Sequence, residues 1–268
     1  MRLFQVGAGS GGMVVLDLLM RESCVTHVTL IDPDIYKAHN GIRHYFPPSA
    51  IGRTKVELAA EWCGERRADF IVEPLAIDLL DPNHQPELEA AVQACDVGIC
   101  AVDSEPAKYH FDLLMRRAAK PWTMGEVLSG GIGGWVHRFI PEQACYGCVA
   151  SHLQRSIVTD NSPPPDYSNP DGMVAETTIP ASKASIDAIA SLHALLTLDM
   201  LEGTAHDFTS LLWTLKRVPG MFDEAFRPYR FRIVRRPDCL ICRPPTVNPV
   251  QEDLDVALNQ ALSRLADQ

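Results

Sequence analysis

Apolar positions in this chain fall into two regimes, short solid runs and helically spaced pairs, and the two alternate along its length. Leu3, Phe4 and Val6 form a run that ends in a glycine cluster, and Val14, Val15, Leu18 and Leu19 then recur at helical spacing. This predicts a strand, a tight turn and a helix. Residues 27–32 and 69–77 predict a second and a third strand, and 96–102 a strand buried on both faces, as parallel sheets require. Helices are predicted over 56–63, 86–94 and 109–119. A strand starting at Trp122 leads through a glycine turn at 130–134 to another at 135–140. Residues 156–175 carry Pro163, Pro164, Pro165 and Pro170 among Asn, Asp and Ser, which predicts an extended crossing loop. Ile186, Ile189, Leu192 and Leu196 then mark a helix closing at Gly203, followed by a strand at 229–234 and an amphipathic helix at 250–265.

The expected fold is α/β: a Rossmann-like, doubly wound, mostly parallel sheet with a mixed-strand extension. One domain spans 1–268, with a nucleotide-binding half at 1–150, a crossing loop at 156–178, a completing half at 179–243 and a helical tail at 244–268. At 268 residues the chain is long enough for one full core.

The glycine cluster is the first candidate for chemistry. In Gly7-x-Gly9-x-x-Gly12 the first glycine permits a tight turn and the second a close backbone approach to a phosphate. The third lets the helix pack near the sheet, so its N-terminus becomes an anion site. Asp32 ends the second strand, where a carboxylate can accept bonds from ribose hydroxyls. The same pattern also serves dinucleotide-binding oxidoreductases, so an NAD-dependent enzyme is the rival reading.

Charge narrows the partners. The net charge is −10, with 34 acidic against 24 basic residues and no basic block, which argues against nucleic acid. No apolar run approaches the length of a membrane span, and the chain starts on a core strand rather than a leader, so a cytoplasmic protein is expected.

Of eight cysteines, Cys24, Cys63, Cys95 and Cys100 are scattered among apolar neighbours. The others form two C-x-x-C pairs, Cys145/Cys148 and Cys239/Cys242. Four thiolates close a tetrahedral shell, so a structural Zn²⁺ is expected rather than a catalytic one, with a redox dithiol or disulfides as the alternatives. The polar loop after the second strand supplies Asp34, Asn40 and Arg43, and Lys55 opens the next helix, all downstream of the glycine cluster. Asp103, at the end of a buried strand, is a candidate Mg²⁺ ligand.

In this order the motifs resemble the ThiF/MoeB/HesA family, prokaryotic relatives of ubiquitin-activating enzymes, over residues 3 to about 243. The resemblance implies an adenylyltransferase. Ser10 would meet the nucleotide through its backbone, Asp32 would hold the ribose, and Asn40, Arg43 and Lys55 would grip the triphosphate of ATP. Asp103 would bind Mg²⁺ beside the α-phosphate, and Asp34 belongs to the same nucleotide-binding set. The substrate implied is the C-terminal carboxylate of a small ubiquitin-like protein or peptide, and the assembly implied is a homodimer.

Three departures stand against the family pattern. Asp103-Ser104 replaces an Asp-Asn pair, and the N-terminal helix that brings an arginine to a partner's site is not in the sequence, which implies weak turnover or an arginine from elsewhere. Residues 149 to 238 hold no cysteine, so no thioester step is expected. An idle nucleotide-binding subunit of a larger complex is the second rival.

Overall fold

The computed structural model describes residues 1–156 and 181–243. Eight strands form one sheet in the order β3-β2-β1-β4-β5-β6-β7-β8. β1 (Arg2–Val6), β2 (His27–Ile31), β3 (Ile71–Leu75), β4 (Val97–Cys100) and β5 (Trp122–Val127) run parallel. β6 (Gly133–Phe139), β7 (Ser210–Thr214) and β8 (Pro228–Phe231) extend the sheet antiparallel. The helices are α1 (Ser10–Leu19), α2 (Lys55–Arg66), α3 (Gln85–Ala94), α4 (Glu105–Arg117), α5 (Tyr146–Ser156) and α6 (Lys183–Leu201).

Side chains alternate across a strand with a period of two, so a solid apolar run has to be covered on both faces. Leu3, Leu30 and Ile99 pack with α1, α2 and part of α6 on one face. Phe4, Val6, Ile31 and Cys100 pack with α3, α4 and α5 on the other. The expected mixed, mostly parallel sheet is therefore present. Its strand order reverses between β1 and β4, and ligands of such sheets bind in the crevice at that reversal.

Two elements were not expected from the sequence. α5 starts inside the first C-x-x-C, where Gly147 and two cysteines are weak helix formers. β7 is only five residues long, with buried and half-buried positions alternating. α4 also begins four residues earlier than the spacing indicated, because Pro106 suits a first helical turn.

The expectation that no segment is apolar enough to span a membrane needs correcting. By length and composition α6 would qualify. It packs on α1, β5 and β6, however, and Thr197 and His193 on it bond to Thr123 of β5 at 2.7 and 3.0 Å, as a buried core helix does. Both sheet edges carry proline, Pro74 in β3 and Pro228 in β8. The expected crossing loop falls almost wholly, and the expected C-terminal helix entirely, outside the described residues.

Candidate functional site

The turn after β1 is built to leave space on one side only. Gly7 has φ +101°, and a Cβ there would lie 2.3 Å from the Ala101 carbonyl oxygen beyond β4. A Cβ on Gly12 would lie 2.2 Å from the Gly7 oxygen. Gly9 differs: φ −74° and ψ −171° suit any residue, and nothing lies within 4 Å of its would-be Cβ. Two glycines therefore serve packing, and the third keeps a surface bare. Gly9→Ala should accordingly leave the melting temperature unchanged and weaken nucleotide binding roughly tenfold or more, whereas Gly12→Ala should destabilise by about 4 kcal/mol or more through a backbone clash. Calorimetry with ATP titration checks both; equal loss of stability in the two variants would show that Gly9 is structural too.

Three side chains fasten this turn. Gln5 Nε2 donates to the carbonyls of Gly7 and Gly12 at 3.0 and 2.9 Å. Asp32 accepts from the backbone N–H of Ala8 at 2.6 Å and of Asp34 at 2.9 Å. Burial raises the Asp32 pKa, with Lys55 and these two donors pulling it back. His44 Nε2 lies 2.9 Å from the Ala8 carbonyl oxygen. Burial lowers His44 to about 4, so the ring is neutral at neutral pH and donates Nε2–H to that carbonyl.

Beside the turn is a cavity of about 750 Å³. It brings together every sequence-predicted nucleotide residue: Gly7, Gly9, Ser10 and Gly12 from the turn, Asp32, Asp34, Asn40 and Arg43 from the loop after β2, Lys55 from α2, and Asp103 from the end of β4. Lys55, 7% exposed, is held by Asp34 through an ion pair at 2.5 Å. Asp34 thus positions the ammonium. Asn40 Oδ1 accepts from the Lys37 N–H at 2.8 Å, which leaves its amide N–H groups as donors. Asp103 is exposed and, among the described residues, has no hydrogen bond or ion pair. A bare carboxylate facing a phosphate-sized cradle suits Mg²⁺, which takes one or two carboxylates and fills its shell with phosphate oxygens and water.

Lys108 and Glu126, also in the cavity wall, are not among the residues expected from the sequence. The Lys108 ammonium bonds Glu105 at 2.7 Å and Glu126 at 2.8 Å. Burial would raise Glu126, but His137 at 3.7 Å and Lys108 outweigh it and hold the carboxyl at about 2. Burial would likewise lower Lys108, and its two carboxylates take it to about 12. This pair stays charged across the neutral range. Lys108 three residues after Glu105 was the available signal.

The two C-x-x-C pairs converge from opposite parts of the chain, with all four sulfurs within 4.8 Å of one another. Separations are 3.8 Å for Cys145–Cys148, 3.6 Å for Cys145–Cys239 and 3.7 Å for Cys148–Cys242. Zn–S bonds of about 2.3 Å in a tetrahedron place sulfurs about 3.8 Å apart, so the cluster has the dimensions of a closed zinc site, whereas a disulfide needs about 2 Å. Burial would raise Cys239, but the backbone N–H groups of Cys242 and Ile241 and the neighbouring thiols bring it down to about 7. The Arg236 N–H also points at Cys148 Sγ, 3.4 Å away. Tyr146, between the first two ligands, donates its hydroxyl to Glu105 at 2.7 Å, linking this cluster to the partner of Lys108.

A model of the ThiF family matches residues 1–239. The chain belongs to the ThiF family. Ubiquitin-like modifier-activating enzyme 5 of Arabidopsis thaliana is 23% identical over 158 residues, covering 54% of this chain and 36% of that protein. Crystal structures of E. coli MccB share the ThiF-family fold seen here. The complex with MccA-N7isoASN superposes with a TM-score of 0.68 at 17% identity, and the complex with ATP with 0.63 at 16%. In both, the match covers 90% of this chain and 66% of MccB. The chain thus spans about a third of the curated relative and just under two thirds of MccB.

Proposed function

We propose that this ThiF-family chain binds ATP with Mg²⁺ in the glycine-lined cavity and adenylates the C-terminal carboxylate of a small ubiquitin-like protein or a peptide. A carboxylate oxygen attacks the α-phosphorus, the bond to the bridging oxygen of the β-phosphate breaks, and pyrophosphate leaves with that electron pair. An anion attacking an anion is slow chiefly through charge, so the protein's task is to neutralise and position. The α1 N-terminus, Arg43 and Lys55 supply positive potential, and Asn40 supplies donors. Mg²⁺ held by Asp103 would supply further charge neutralisation when bound. No protein nucleophile is needed.

The carrying observation is that these cations and a bare Asp103 carboxylate line one cavity with the glycine turn. An NAD-dependent oxidoreductase would account for the turn and Asp32, but not for a buried Lys55 or the unpartnered Asp103. Titration with ATP–Mg²⁺ against NAD, followed by pyrophosphate exchange with a C-terminal peptide library, tests the reading. Preference for NAD, or ATP binding without exchange for any acceptor, would refute it, the second outcome favouring an idle subunit.

The same reading makes the acyl-adenylate the end product on this chain. Burial pushes the thiols of Cys63, Cys95 and Cys100 up to about 12. Four other cysteines are committed to the cluster, and Cys24 sits before β2, at the end of the sheet away from the cavity. After incubation with ATP–Mg²⁺ and acceptor, a non-reducing gel should show no band that thiol removes. A thiol-labile adduct on any cysteine would overturn this.

A further inference from the structure

β5 and β6 carry a second cavity at the end away from Glu126. Glu126 pairs in register with Trp135 near the tip of the hairpin, and Thr123 pairs with Arg138 near its base. The base opens into a cavity of about 320 Å³ walled on one side by the loop after α6, Ala205 to Thr209. One wall holds a charge the fold leaves unanswered. Arg138 is 8% exposed, its Nε is fully covered without an acceptor, and among the described residues its guanidinium makes no ion pair or hydrogen bond. Arginines this covered are uncommon without a partner, and with Nε shut away from water the guanidinium can be answered only through its two Nη groups. Burial draws its pKa below the usual arginine value, with Asp199 pulling the other way. Asp199 forms no ion pair with it, and one oxygen of that carboxylate is bonded to His206 Nε2 at 2.9 Å.

The other walls carry Arg232, exposed at the mouth, and Gln143, with Asp207 as the one carboxylate on the lining. Thr209 lines it too, but its hydroxyl is already engaged with Phe231 and Ile233. Two guanidiniums, Arg138 and Arg232, share the lining with Asp207, while Asp199, bonded to His206, acts on Arg138 from outside the lining. Guanidinium forks match planar or tetrahedral oxyanions, and two of them balance a dianion better than a single carboxylate.

We propose that this cavity binds a small phosphate-class dianion, with Arg138 as the buried anchor and Arg232 as the clamp at its mouth. The site is separate from the nucleotide cavity and does not depend on the reading given for it.

Thermal unfolding in chloride buffer, with inorganic phosphate titrated at constant ionic strength and acetate as a parallel arm, tests the proposal on the zinc-loaded chain. Phosphate should raise the melting temperature saturably in the parent and equally in Arg43→Ala, which separates this site from the nucleotide cavity. Arg138→Met should lose the response and, without phosphate, melt no lower than the parent, since an unpaired buried charge has been removed. Arg232→Gln, a surface change that leaves folding alone, should weaken the phosphate midpoint severalfold. No saturable response in the parent, an undiminished response in Arg138→Met or Arg232→Gln, or an acetate response equal to that of phosphate would overturn it.

Discussion

Asp103→Ala should lower ATP-dependent pyrophosphate exchange by about a hundredfold or more, the scale expected when a group stabilising transition-state charge is removed. The fold should not notice. Asp103 is exposed, holds no other residue and follows the last hydrogen bonds of β4, so the variant should melt within about 1 °C of the parent. Lys55→Ala is a less clean test, because it also strips Asp34 of its ion pair and empties a buried volume. The measurement is exchange of labelled pyrophosphate into ATP at saturating Mg²⁺, with calorimetry beside it. If Asp103→Ala exchanged like the parent, the metal role would have to move to another carboxylate of the cavity. Glu126 is a poor substitute, being already committed to Lys108.

Replacing Cys145 by serine should cost stability that removing Asp103 does not. Structural zinc contributes on the order of 10 kcal/mol or more to folding, comparable to the whole net stability of a domain. In a chain of this size about 1 kcal/mol moves the melting temperature by roughly 2–4 °C, so losing even a third of that contribution means about 10 °C. The cluster ties the start of α5 to the segment after β8, and without it the antiparallel half loses its closure. Elemental analysis of unchelated protein should give about one zinc per chain, and Cys145→Ser should show both depleted zinc and the lowered transition. Parent protein free of zinc yet equally stable would remove the metal from the account.

The parallel half was legible because β1, β2 and β4 are largely apolar runs, each ending near a residue with a distinct job: Gly7 after β1, Asp32 after β2, Asp103 beyond β4. Those endings are local facts, and the sheet order turns them into neighbours. The antiparallel half was less legible. β7 is short, and its partners are fixed by pairing with β6 and β8 rather than by its own pattern. The four cysteines could be named as a set from their spacing, but not the helix that begins between two of them. The nucleotide residues of the cavity were found through motif positions, while His44, Lys108 and Glu126 in its wall and the buried Gln5 beneath the turn were missed because their roles come from tertiary partners. Asp32 shows the same limit: its motif position implied a ribose contact, and the structure adds that it splints the glycine turn.

The prolines at the two rims of the sheet bear on self-association. An open sheet invites a second chain to pair along its outermost strand, and proline blocks this by withholding an N–H from the row. Here Pro74 interrupts one outer strand, flanked by Glu73, and Pro228 opens the other, which also carries Arg230. Among the described residues, neither rim therefore offers an unbroken template for β-augmentation, which disfavours fusing the sheets of two copies into one.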